Sequence, residues 1–210
     1  MDSYERVLGC FYGAAIGDAM GAATETMTPQ MILDRYGAYV DQLLAPGDGT
    51  FSAGCPAGFV TDDFSLAYFT ALEILKAPDG PICDTTAQTA LINWSGHPEY
   101  FCFAGPSTSV AIKKILGEPV PQPPVIPACD NSRASNGSAM KIFPAGLKNP
   151  GRPEHAVTDA ITLCKPTHDN AASLSAACAI AAAVSAAVTG AGLPEVFDAG
   201  FYGAREGARH

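Results

Sequence analysis

The sequence predicts an all-α fold. Helix-spaced apolar stretches open on recognisable N-caps, alanine and glycine recur inside them, and no stretch alternates apolar and polar residues as a half-buried strand would. So many small residues on helical faces predict helices packed at close range. With 210 residues, 48% of them hydrophobic, the chain is long enough to bury a sizeable core as one domain over residues 1–210.

The first predicted helix runs from residue 3 to about 24, with Ser3 as its N-cap and Glu5 and Arg6 in its first turn. Gly9, Gly13, Gly17 and Gly21 recur every four residues along it. Each interior glycine costs about 0.8–1.0 kcal/mol relative to alanine. Close approach of another helix would offset that cost, and the alanine-rich helix near the C-terminal end is the expected partner. Asp18 and Glu25 lie towards the end of this helix, where its dipole disfavours negative charge. Two acids placed against the dipole are candidates for a site.

Thr28-Pro29 starts a shorter helix, and a long glycine- and proline-rich loop follows from Gly37 to Gly58. Thr61-Asp62-Asp63 then opens an apolar helix through Leu75. The threonine hydroxyl is an expected cap, and the two aspartates sit in the first turn, which favours negative charge. Three oxygen-bearing side chains at the start of a core helix suit a hard cation such as Mg²⁺.

Further helices are expected over Thr85–Trp94, from Gly105-Pro106-Ser107-Thr108 to Leu116, over Glu154–Cys164, and from Pro194 to about Gly207. The proline-dense stretch from Gly117 to Pro127 reads as a surface connection. Ser135-Asn136-Gly137-Ser138-Ala139-Met140 reads as a polar turn whose Asn-Gly pair tolerates positive φ and leaves backbone N–H groups approachable. Thr167-His168-Asp169-Asn170 caps the alanine-rich helix that stops near Gly190, and His168 is the histidine singled out by that position.

The net charge of −9 argues against a nucleic-acid surface, because phosphate backbones call for clustered lysine and arginine. Seven widely spaced cysteines without a Cys-x-x-Cys pair read as reduced thiols in a cytoplasmic protein. The uncharged stretch Ala171 to Thr189 is mostly alanine and serine, too weakly apolar for a membrane span.

Four stretches together resemble the ADP-ribosylglycohydrolase family, of the dinitrogenase-reductase-activating type. They are Gly9 to Gly21 with Glu25 just after, Thr61-Asp62-Asp63, Asn136 to Lys141, and Pro166-Thr167-His168 with the helix behind it. The resemblance implies a compact orthogonal all-α domain with a dinuclear Mg²⁺ centre, one or no ion being expected in this chain by itself. It also implies hydrolysis of the glycosidic bond at the ribose of ADP-ribosyl groups or of a related N-riboside. Thr61, Asp62 and Asp63 would be metal ligands, and Glu25 and Asp62 catalytic groups. Gly105, Ser107, Thr108, Asn136, Gly137, Ser138, Met140 and His168 would hold the substrate.

Two departures bear on that reading. Phe64 stands where the family usually has a hydroxyl residue. Nothing after Asn170 matches the further Asp-x-Asp-Thr/Ser motif that completes the family's metal site. A truncated form, a second chain supplying the motif, and a degenerate site all remain open at this point. So does a non-catalytic ADP-ribose binder or structural relative.

Overall fold

The computed structural model describes residues 2–120 and 134–210. Among them are ten α-helices, one 3-10 turn and no strand. The part of the proline-rich connection from Pro121 to Pro127 lies outside the described residues. The chain divides into two compact units, Met1–Ser65 and Leu66–His210.

The first unit holds α1 (Ser3–Gly21) and α2 (Pro29–Tyr36). The cap of α1 is Asp2, not Ser3. The Asp2 carboxylate accepts the Glu5 N–H at 2.8 Å while Glu5 accepts the Asp2 N–H at 3.0 Å, a reciprocal capping box. An ionised acceptor both satisfies an orphan donor and meets the positive end of the dipole, so it outcompetes the serine beside it. Thr28 caps α2 with Pro29 as its first residue, and Gly37 ends it in the left-handed region at φ 76°. The long loop to Thr61 is not featureless. Turns at Gly47–Thr50, Thr50–Ala53, Ser52–Cys55 and Pro56–Phe59 fold it back on itself, and Thr50 and Ser52 are buried.

Among the described residues of its own unit, a Cβ added at Gly9, Gly13, Gly17 or Gly21 of α1 would meet nothing within 4 Å, so nothing in that unit packs closely against the glycine ridge.

The second unit is organised around α9 (Ala171–Ala187), which α7 (Phe143–Lys148), α8 (Pro153–Cys164) and α10 (Leu193–Gly207) surround. Leu174, Ala177, Cys178, Ala181 and Ala182 of α9 are fully buried against Ala145, Ala156, Val157, Ala160 and Ile161. The close glycine contacts of the alanine-rich helix come from its own unit. A Cβ on Gly203 of α10 would strike the Cys178 carbonyl group, one on Gly207 would strike that of Leu174, and one on Gly146 of α7 would lie 2.5 Å from the Ala181 oxygen. Small residues on both sides let the backbones touch, and dense packing supplies the dispersion that large side chains supply elsewhere.

A second cluster gathers Leu66 of α3 (Asp62–Leu75), Leu91 and Trp94 of α4 (Asp84–Ser95), and Ile112 of α6 (Pro106–Ile115). Phe101 of the short α5 (Pro98–Phe101) meets the Trp94 ring edge-on at 5.6 Å. Neither α5 nor α7 was expected, since each is a turn or two long and carries a proline in its first turn. At that position the missing N–H costs nothing. Among the described residues no helix is long and apolar enough to cross a membrane.

Candidate functional site

Two groups of predicted residues stand out, one in each unit. In the first, Asp18 closes the start of α3. Its Oδ2 accepts the Thr61 N–H at 2.8 Å and the Phe64 N–H at 3.0 Å, and its Oδ1 accepts the Thr61 hydroxyl at 2.7 Å. The start of α3 is therefore capped by a carboxylate 43 residues upstream, and Thr61 gives its hydroxyl hydrogen to that same carboxylate. This accounts for an acid near the unfavourable end of α1: its charge is stabilised at the favourable end of α3. The lone pairs of Thr61 Oγ1 remain available to a cation, because the hydroxyl acts as donor in this bond.

Asp62 and Asp63 follow in the first turn of α3, both half-buried. The Asp62 carboxyl is pushed up to about 7, first by burial, then by Asp63, with Asp18 and Glu25 adding to the push and its own backbone N–H opposing it. Burial, Asp18 and Glu25 push Asp63 up to about 6. Glu25 is itself raised by burial and by Asp18. Glu25, Asp62 and Asp63 thus share one electrostatic neighbourhood with Asp18, and each of the three is harder to ionise there.

Glu25 lies in the turn after α1, which the fold braces from two directions. The Tyr36 hydroxyl donates to the Ala23 carbonyl at 2.9 Å and the Ser52 hydroxyl to the Ala22 carbonyl at 3.3 Å. The next residue, Thr26, holds φ 65°, a conformation that a β-branched residue adopts only when its surroundings impose it. Nothing in the sequence announced this strained turn.

The donor set consists of hard oxygens held close to like charges, which is the chemistry a divalent cation satisfies. Among the described residues, however, no three His, Cys, Asp or Glu side chains are gathered closely enough to form a metal-binding group. The phenyl ring of Phe64, the departure noted above, meets Phe11 of α1 edge-on at 6.3 Å and fastens the α3 start with apolar contact.

In the second unit, Asn136–Ser138 forms the 3-10 turn. The Ser135 N–H donates to Ser173 Oγ, and the Ser138 hydroxyl donates to the Ser173 carbonyl at 2.9 Å, so the turn is tied to the start of α9. Gly137 is not among the positive-φ residues. Its lack of a side chain serves close approach instead: a Cβ there would lie 2.7 Å from His168 Cε1 and 2.8 Å from Nε2. The N–H groups of Gly137, Ala139 and Met140 are bonded inside the turn, so these three are not the approachable donors expected.

His168 is buried, with Ser135 Oγ at 2.8 Å from Nε2 and Thr167 Oγ1 at 2.9 Å from Nδ1. Burial, reinforced by Lys141, pulls its pKa down to about 4. Lys141 is also buried and donates to Thr167 Oγ1 at 2.8 Å. Met140 turns into the apolar cluster of Leu66, Trp94 and Ile112. Gly105 is the N-cap of α6, Ser107 lies half-buried in its first turn, and Thr108 is buried there. Lys141, Thr167 and Ser135 were not singled out as site residues. The signal for Ser135 was legible, a serine two residues before a turn glycine.

The ADP-ribosylglycohydrolase family model matches residues 1–207. The chain is 31% identical over 201 residues to the uncharacterized protein YegU of Escherichia coli (strain K12), covering 92% of this chain and 57% of that protein. It is 26% identical over 167 residues to the ADP-ribosyl-[dinitrogen reductase] glycohydrolase of Rhodospirillum rubrum, covering 80% of this chain and 52% of that enzyme. The chain thus spans little more than half the length of these relatives. The match over nearly every residue, with which the all-α architecture is consistent, shows that the chain belongs to the ADP-ribosylglycohydrolase family.

Proposed function

We propose that this chain contributes to a magnesium-dependent hydrolase that cleaves the glycosidic bond of ADP-ribosyl groups or of a related N-riboside. One observation carries the reading: Glu25, Asp62 and Asp63 are each made harder to ionise by burial and by the Asp18 charge they share a neighbourhood with. Such an arrangement is unfavourable without a cation and favourable with one. Thr61, Asp62 and Asp63 would hold the ion. When bound, Mg²⁺ supplies positive charge that orients ribose hydroxyls and polarises a water.

The chain's own residues do the remaining work. Asp18 keeps Thr61 and the first turn of α3 in place through its three hydrogen bonds. Glu25, in its braced turn, takes the proton from the attacking water, and Asp62 supports the developing charge. The Asn136–Met140 turn, with Gly105, Ser107 and Thr108, would line the place for the phosphates and ribose by its shape and side chains, the N–H groups of Gly137, Ala139 and Met140 being spent within the turn. A second chain bearing an Asp-x-Asp motif would complete the ligand set.

A second reading is a non-catalytic ADP-ribose binder. The lack of a three-carboxylate metal-binding group among the described residues favours it. Titration of ADP-ribose with and without Mg²⁺, followed by an assay of ADP-ribose release from a modified peptide, separates the two. The hydrolase reading expects Mg²⁺-dependent binding, and release once the Asp-x-Asp chain is added. Metal-independent binding with no release under either condition establishes the binder.

A further inference from the structure

The buried polar chain Lys141–Thr167–His168–Ser135 has a direction. Lys141 Nζ donates to Thr167 Oγ1 at 2.8 Å; burial lowers its pKa, and in its charged form it has three donors and no lone pair with which to accept. Thr167 then has one hydrogen to give and two acceptors in reach, His168 Nδ1 at 2.9 Å and the Cys164 carbonyl at 3.2 Å. That carbonyl already accepts the His168 N–H at 2.8 Å and the Thr167 N–H at 3.0 Å, so both its lone pairs are engaged. Polarisation by the ammonium makes the Thr167 hydroxyl a better donor, and the unfilled acceptor is Nδ1.

A neutral His168 that accepts at Nδ1 carries its hydrogen on Nε2 and donates it to Ser135 Oγ, at 2.8 Å. The same oxygen accepts the Gly137 N–H at 3.3 Å. Both lone pairs of Ser135 Oγ are then occupied, and its one hydrogen is left for an acceptor that no described residue supplies. Ser135 is exposed while His168 is buried beneath it. Burial of the ring, which keeps it neutral, is consistent with this assignment.

We propose that Lys141, acting through Thr167 and His168 as positioning residues, presents the exposed Ser135 hydroxyl as a fixed hydrogen-bond donor to a phosphate oxygen of the ligand. The proposal rests on the reading of the Asn136–Met140 turn as the phosphate-holding loop. It adds a ligand-contacting residue and explains why a lysine is buried behind it with a hydroxyl as its partner. Without the relay, Ser135 could satisfy His168 with its own hydrogen and turn a lone pair outward, where a phosphate oxygen would be repelled.

Two measurements on the full chain test it. In ¹⁵N-histidine-labelled protein, with His168 assigned by its loss in His168→Gln, the free protein is expected to show the Nε2–H tautomer. Lys141→Met and Thr167→Val should each shift it towards Nδ1–H, and Lys141→Arg should restore the wild-type pattern. With ADP-ribose as probe, Ser135→Ala and Lys141→Met should each weaken binding about tenfold, roughly the loss of one hydrogen bond to a charged oxygen. The double variant should be little worse than either, because both act on one donor. A wild-type Nδ1–H tautomer, or a tautomer unmoved by both Lys141→Met and Thr167→Val, overturns the relay. Ser135→Ala binding ADP-ribose as tightly as wild type overturns the donor role. Failure of the wild-type chain to bind ADP-ribose at all would instead overturn the phosphate-loop reading and with it the ligand half, while the tautomer in the free protein still decides the relay.

Discussion

Asp18 and Thr61, 43 residues apart, are joined by two hydrogen bonds at 2.8 and 2.7 Å, one to the backbone and one to the side chain. With the third bond to the Phe64 N–H, one carboxylate takes over the capping of α3. Asp18→Ala removes an ionised cap and leaves the donors it served without a partner. The expected cost is about 1–3 kcal/mol in chemical denaturation, the range for losing charged hydrogen bonds at a helix start. Thr61→Val keeps the backbone bonds and should cost less. Equal losses in the two variants would show that the hydroxyl, not the cap, carries the interaction.

Asp62 and Asp63 give the cation reading a sign that can be checked. Their folded values of about 7 and about 6 lie above the ordinary 3.8, so the folded state binds more protons than the unfolded state between those limits. Stability of the metal-free chain should therefore fall as pH rises from about 4 to about 7. Asp62→Asn should flatten that fall and melt higher than wild type near pH 7.5. Millimolar Mg²⁺ should raise the melting temperature of wild type and leave Asp62→Asn unmoved. An equal Mg²⁺ shift in both would remove Asp62 from the ligand set.

The glycines divide into two kinds that the sequence did not separate. At Gly203 a Cβ would lie 2.7 Å from the Cys178 carbonyl carbon and 2.8 Å from Ala182 Cβ, and backbone cannot move aside cheaply. Gly203→Leu should cost roughly 1–3 kcal/mol or more. At Gly13 a Cβ meets nothing of its own unit within 4 Å. Gly13→Ala should stabilise by about 0.8–1.0 kcal/mol through helix propensity. Denaturant midpoints of the two variants moving in the same direction would contradict this division.

That contrast shows where sequence reading stops. The four-residue spacing of Gly9 to Gly21 correctly placed a helix, but spacing says nothing about what stands opposite. Helix starts at Thr28 and Asn170 were legible because a cap is a local bond, three residues long. The cap of α3 was not, because its acceptor comes from another helix. Thr61, Asp62, Asp63 and Glu25 were legible as a candidate group by residue type and family pattern. The strained turn at Thr26 and the Lys141–Thr167–His168–Ser135 chain were not, since both arise from tertiary contacts that no local period records. Gly137 was read for turn conformation, whereas the structure uses it for the approach of the His168 ring.

His168 supplies a second pH dependence of opposite sign. Burial, then the Lys141 charge, pulls its folded pKa to about 4, below the ordinary value of 6.5. Between those values the unfolded chain takes up a proton that the folded chain refuses, so the unfolded state binds more protons and stability rises with pH. The His168 contribution is fully present above about pH 6.5 and is lost as acid takes the chain down to about pH 4. Asp62 and Asp63 pull the other way over much of the same interval, which would mask the effect in wild type. The comparison is therefore made in the Asp62→Asn/Asp63→Asn background, with and without His168→Gln, by denaturant unfolding at pH 4.5, 5.5 and 7. Stability of the double variant should climb with pH across these points, and the added His168→Gln should remove most of that climb while lowering stability at pH 7. A slope that survives the loss of His168 would assign the acid sensitivity to another group and show that the ring is not held neutral between Ser135 and Thr167.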